Sequence, residues 1–139
     1  MQSNEEGLFI VVKLDKAERI FDSLTEVIDK HEIKSGLVLS GIGMLRNVKL
    51  GYYSGEEHNS KTFEKPRELV ALHGSITTGG DTVIHLHCAL AGEDYTVIGG
   101  HLMGAEVAVI AEIVIAKLSE IVLGREFNPK TGLKELSVR

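Results

Sequence analysis

Only one stretch of the sequence repeats its apolar residues at helical spacing. Ile20, Phe21, Leu24, Val27 and Ile28 recur at three- and four-residue intervals with charges between them, the pattern of an amphipathic helix. Asp15 precedes it as a candidate N-cap, and Glu18 follows three residues later, where a capping box places its acid. The helix is expected to end near His31. A chain of 139 residues with one helix has to build the rest of its core from sheet.

The remaining apolar runs fit that demand. Residues 8–14 (LFIVVKL) and 37–43 (LVLSGIG) read as buried strands. Residues 44–55 alternate, with Val48, Leu50 and Tyr52 on one face and Asn47, Lys49 and Tyr53 on the other. Residues 56–67 are polar and read as a loop, with a short strand around Thr62 and Phe63. Strands follow at 68–76, 82–90 and 96–102, separated by the turns TTGGDT and AGEDY. The last two are close enough to form a hairpin. Residues 107–118 are rich in Val and Ile and fit a long buried strand. The tail REFNPKTGLKEL is expected to be irregular, with at most one short final strand. The expectation is a single α+β domain over 1–139, its core at about 7–123. It has a mostly antiparallel sheet of about seven or eight strands and one main helix. Several strands are apolar on both faces and one helix covers only one, so a second copy of the chain is expected over the other.

Composition narrows the class. The chain is 43% hydrophobic and 25% charged, as in soluble globular domains. Cys88 is the single cysteine, so no intrachain disulfide can form. With no basic, apolar leader at the N-terminus, this points to a cytoplasmic protein. The longest apolar run, 107–118, is too short to span a bilayer and contains Glu112. The net charge is −5, whereas nucleic-acid affinity rests on cations that meet phosphates. The candidate basic patches, Lys61, Lys65 and Arg67, and Arg125, Lys130, Lys134 and Arg139, read as solvated surface charge.

The chemistry-bearing residues are histidines. In the run VIHLHCA, His85 and His87 are two apart and so share a strand face, with Cβ atoms ~6.5–7 Å apart. If the next strand pairs antiparallel, His101 of IGGHL comes beside them, and Gly99 and Gly100 remove bulk nearby. Three imidazoles on an apolar face need more partners than that face offers, and a divalent cation takes three lone pairs at once. Three histidines with an open fourth position is the pattern of a reactive zinc site. Ligand type alone does not choose among zinc, nickel, iron and manganese. Unligated strand histidines bonded to water or carbonyls are the competing reading. His73 is a candidate fourth neighbour, although a surface or core role fits it better. His31 suits a helix C-terminus, and His58 suits a surface loop. Cys88 alternates away from the histidine face and reads as core. Glu112 and Glu106 are candidate proton carriers or acceptors for a ligand histidine, or else members of ion pairs. Arg46 is a candidate holder of an anionic substrate group.

The succession SGIGMLRNVKLGYY, ELVALHGSI, HLHCALAGEDYTVIGGHL and AEIVI resembles the PPC (plants and prokaryotes conserved) domain family over roughly residues 7–123. Its most specific part is His-Leu-His followed by Gly-Gly-His-Leu. The resemblance implies a strongly curved antiparallel sheet with a single helix, assembled as a homotrimer. The implied fold is similar to that of acetolactate decarboxylase, in which three histidines, two in a His-x-His pair, hold a catalytic metal. His85, His87 and His101 correspond to such a set. The family also carries a DNA-binding label, because plant members join this domain to Arg-Gly-Arg-type AT-hooks, which this sequence lacks. Three functions follow as expectations: a homotrimeric metal protein acting on a small molecule, a DNA-associated regulator, and an oligomeric interaction module without chemistry.

Overall fold

The computed structural model describes residues 1–55, 58–79 and 82–139, and of His58 only the backbone. Among these residues there are nine strands and one helix: β1 (Gln2–Glu6), β2 (Phe9–Asp15), α1 (Ile20–Lys30), β3 (Ser35–Tyr53), β4 (His58–Phe63), β5 (Arg67–Thr77), β6 (Val83–Ala91), β7 (Val97–Lys117), β8 (Leu123–Asn128) and β9 (Leu133–Val138). The expected loop residues Glu56 and Glu57, and the turn residues Gly80 and Asp81, lie outside the described residues.

Seven antiparallel strands form one sheet in the order β1-β2-β7-β6-β5-β3-β4, and β7 also pairs with β3. That extra ladder closes β3, β5, β6 and β7 into a ring, which requires strongly tilted, curved strands. Two long strands make this possible. β7 pairs with β6 through residues 97–102 and with β2 through 110–116, while β3 runs along its other edge. From the sequence alone, each long strand is expected as two. The breaks in pattern are register shifts inside continuous strands, between Val38 and Ser40, Gly43 and Leu45, and Arg46 and Lys49. Such bulges bend a strand without ending it.

Three further differences have local causes. β1 is polar and gave no apolar signal, yet Gly7, at φ 60, turns the chain so that residues 2–6 pair with β2. β4 is a full edge strand on β3. The tail is a β8–β9 hairpin, closed around Gly132 at φ 70, whose N–H donates to Asn128 O at 2.8 Å.

The helix also starts later than expected, with Arg19 as N-cap. The Glu18 carboxylate does accept from the Asp15 N–H at 2.6 Å, the return half of a capping box. However, Ala17 N–H donates to Val107 O, and Val107 N–H to Glu18 O, both at 2.9 Å. These bonds hold residues 16–19 against β7 and delay the first helical turn.

The inner face of the sheet and α1 share one core, in which Val12, Leu14, Ile20, Leu24, Leu72, Leu86 and Ile113 are fully buried. The opposite face of the β2–β7–β3 region stays apolar and open. Phe9 and Val11 are 48% and 58% exposed, and Ile42 is 50% exposed. No described helix is long and apolar enough to cross a membrane.

Candidate metal centre

Alternation along β6 sends Leu86, Cys88 and Leu90 into the core and so turns His85 and His87 to the other face. The β6–β7 register sets His87 opposite His101, and opposed residues on an antiparallel pair hold their Cβ atoms ~4.5–5.5 Å apart. The three rings meet, with centroids 5.1 Å (His85–His87), 4.9 Å (His85–His101) and 5.3 Å (His87–His101) apart. One nitrogen from each lies within 4.8 Å of the others. Tetrahedral ligands at a Zn–N distance of about 2.0–2.1 Å stand ~3.4 Å apart. The donor set is therefore more open than a tetrahedral site by up to ~1.4 Å, a gap on the scale of side-chain rotation. The residues fit a divalent ion held by three imidazoles.

Close strand packing sets this geometry. A Cβ on Gly74 would stand 1.9 Å from the His85 carbonyl oxygen, and one on Gly99 would stand 2.6 Å from that of Cys88. The bare backbone at Gly99 thus lets β7 lie close against β6, whereas the sequence suggested that it clears space for a ligand.

His85 and His101 are partly buried and His87 is exposed. Burial, the Arg125 guanidinium and the neighbouring imidazoles of His101 and His87, in that order, push the His85 pKa down to about 4. His85 is therefore neutral near pH 7, the form that ligates a metal. Arg125 reaches the cluster from β8. Its Nη2 donates to Ser75 Oγ at 2.8 Å and lies 3.3 Å from His85 Nδ1. Ser75 is opposite His85 in the β5–β6 register. The sequence reading took Arg125 as surface charge; no spacing links residue 125 to residue 85, and only the hairpin brings them together.

The other candidates sit elsewhere. His73 is opposite His87, but its Nδ1 donates to Leu39 O at 2.8 Å, where the β3–β5 ladder is interrupted between Val38 and Gly43. His31 caps α1 as expected and is nearly buried; its ring also bonds Glu5 Oε2 at 3.1 Å and Ser3 Oγ at 3.0 Å, which ties β1 down. Cys88 is buried, and burial pushes its thiol up to about 11. His58 lies in β4 rather than a loop.

No carboxylate joins the three histidines among the described residues. Arg46 Nε donates to Glu106 Oε1 at 2.9 Å, and its Nη2 bonds the same oxygen. Arg46 thus already holds an anion, a carboxylate of its own chain, and it keeps the Glu106 carboxyl below the usual range. Glu112 is exposed and not buried as expected. It stands opposite Lys13 on the open apolar face, eleven residues or roughly 35 Å of extended strand from His101. A groove of about 410 Å³ between Lys34, Ser119 and Val122 lies at the foot of the hairpin and includes none of the three histidines.

Comparison with known proteins agrees with this architecture. Residues 1–119 match the model of the Plants and Prokaryotes Conserved (PCC) domain. No curated protein sequence gives a significant match. A metal-containing protein of Archaeoglobus fulgidus is 30% identical, with a TM-score of 0.84 and 94% of each chain covered. A plant- and prokaryote-conserved protein of Pyrococcus horikoshii is 29% identical, with a TM-score of 0.83 over 92% of this chain and 90% of the other. A candidate DNA-binding protein of Bacteroides thetaiotaomicron is 26% identical, with a TM-score of 0.90 over 98% of this chain and 96% of the other. The match over residues 1–119 and the shared fold make this chain a member of the Plants and Prokaryotes Conserved domain family.

Proposed function

We propose that this protein is a homotrimeric metal-binding protein that holds a divalent ion, Zn²⁺ first among the candidates, through His85, His87 and His101, and that it takes a small molecule at the ion's open position. The observation that carries this reading is the convergence of three imidazole nitrogens within 4.8 Å of one another on strands fixed by backbone pairing. The Archaeoglobus fulgidus relative, described as metal-containing, supports it. Zinc bound by three imidazoles supplies a Lewis acid for a carbonyl oxygen, or an acidified water. The chain itself supplies one ligand, His85, that is kept unprotonated near pH 7, and a β6–β7 ladder that sets His87 opposite His101. Self-association is supported by the exposed apolar residues Phe9, Val11 and Ile42 on one sheet face, a kind of surface that marks contact sites.

The test is elemental analysis with gel filtration of untagged protein never exposed to a metal column, beside His85→Ala. One metal per chain in a trimer, lost in the variant, is the expected result. Metal-free wild-type protein ends the reading.

A second reading, a DNA-associated role, is favoured by the Bacteroides thetaiotaomicron relative described as a candidate DNA-binding protein. Its best surface is Phe63 on β4, with Lys61 Nζ 5.2 Å and the Arg67 guanidinium 5.4 Å from the ring centre. It requires duplex binding that weakens steeply with salt, against a net charge of −5. Absence of any complex at low salt removes it.

A further inference from the structure

Resting on the three-histidine reading, we propose that Arg125 is the anion-receiving residue of this site, and that the ligand taken at the metal is a small carboxylate. The residue lies beyond the segment that matches the family, which ends at 119, and it approaches on the C-terminal hairpin.

A guanidinium only donates, so the contact from Arg125 Nη2 to His85 Nδ1 at 3.3 Å uses the ring's lone pair at Nδ1 and leaves the proton on Nε2. A metal on His85 has to take a lone pair. If it takes Nδ1, it displaces the arginine. If it takes Nε2, the proton moves to Nδ1, which can no longer accept. Either way the bond between Arg125 and His85 is lost, and a cation is left beside a dication.

Charge gives the second step. The cluster contains three imidazoles and no carboxylate among the described residues, and the Glu106 carboxylate is already held by Arg46. Three neutral ligands leave the full charge of the ion uncompensated, and Arg125 adds another positive charge. An anionic ligand answers both. Geometry selects its class. Arg125 Nε is shut off from water with no acceptor, next to an Nη2 whose remaining partner is Ser75 Oγ. Nε and Nη2 together form the side-on fork that receives the two oxygens of a carboxylate. Once the metal breaks the contact with His85, the guanidinium is free to turn this edge outward, and a carboxylate that meets it satisfies the orphaned donor while the rest of the molecule reaches the ion.

The experiment is calorimetric titration of the Zn²⁺-loaded protein with pyruvate and with its neutral amide, pyruvamide. It uses wild type, Arg125→Gln and Arg125→Lys, each checked for metal content and for a cooperative melt. Wild type is expected to bind pyruvate more tightly than pyruvamide. Arg125→Gln should lose at least about tenfold in pyruvate affinity, as expected for loss of a charge-assisted fork. At saturating Zn²⁺ it should still hold one metal per chain and should lose much less affinity for pyruvamide than for pyruvate, and Arg125→Lys should recover part of the loss. Equal pyruvate affinity in wild type and Arg125→Gln, or no pyruvate binding by the metal-loaded wild type, overturns the inference. The metal analysis separates the two levels. A metal-free wild type removes the site itself, whereas a loaded protein indifferent to carboxylate removes only the role of Arg125.

Discussion

Arg125 Nη2 lies 3.3 Å from His85 Nδ1, so a cation and a candidate metal ligand share one lone pair. The outer partner of a ligand histidine is usually an acceptor, a carboxylate or carbonyl that raises the ring's basicity. A donor in that place does the opposite. Arg125→Gln should therefore tighten Zn²⁺ binding, because it removes both a competitor for the lone pair and a positive charge near the ion. Competition against a chromophoric chelator measures this. A shift of about tenfold towards tighter binding is the scale of such outer-sphere changes, and weaker binding would contradict the competition.

The ligands themselves should behave differently from their surroundings. Replacing His87, the most exposed of the three, by Ala removes a donor with little loss of buried surface. Its Zn²⁺ affinity should fall by more than the 10–100-fold typical of outer partners, with the metal-free melting temperature nearly unchanged. His73→Ala is the matched control, since His73 shares the face but gives its Nδ1 proton to Leu39 O. It should retain the metal. Equal losses in the two variants would place the ion elsewhere.

Acidification probes the same cluster in the metal-free protein. The folded pKa of His85, about 4, lies below its ordinary value of 6.5, so as the pH falls the unfolded chain takes up the proton first. Stability rises with pH wherever the unfolded state binds more protons. The contribution of neutral His85 is thus complete above 6.5 and is lost progressively down to 4. Thermal melts from pH 7 to pH 4 should fall more steeply for wild type than for His85→Asn, which does not titrate. Parallel curves would mean that His85 keeps its ordinary pKa.

How much of this was legible in the sequence depended on whether a feature is local. The period-two spacing of His85 and His87 fixed their shared face, and the short connection to residue 97 brought His101 beside them, so the histidine set could be read from the chain. The single helix could be read as well, apart from its start, which two backbone bonds to Val107 decide. The long strands β3 and β7 read as pairs of strands because a bulge interrupts alternation as a turn does. The hairpin at 123–138 was missed because its strands are short and mixed in character. With it went Arg125, the residue that gives the site its charge. Glu112 looked buried because its neighbours in sequence are apolar; pairing put it on the open face beside Lys13.

Gly74 tests how tightly strand packing controls the cluster. Its Cβ position is 1.9 Å from the His85 carbonyl oxygen, a backbone atom that cannot swing aside. Gly74→Ala has to push β5 from β6. Overpacking of this kind costs about 1–3 kcal/mol, and the displaced backbone carries His85 with it. Both the melting temperature and Zn²⁺ affinity should fall. A destabilised variant with unaltered metal affinity would show that the ligands adjust independently of the ladder.

The open face of β2 makes a separate prediction about assembly. Val11 is 58% exposed and stands opposite Val114, with Phe9 two residues away on the same face. A charge at such a position costs a lone domain little, within about 0.5 kcal/mol for an exposed site. In a buried interface it would lie unpaired in a low dielectric, where breaking even is impossible without a partner. Sedimentation of wild type should give a species three times the 15.1 kDa chain, and Val11→Glu should sediment as a monomer that still binds Zn²⁺, because all three histidines belong to one chain. If wild type sediments as a monomer, this face has another cover. If Val11→Glu loses both assembly and metal, the ion depends on contacts between copies that the single chain does not provide.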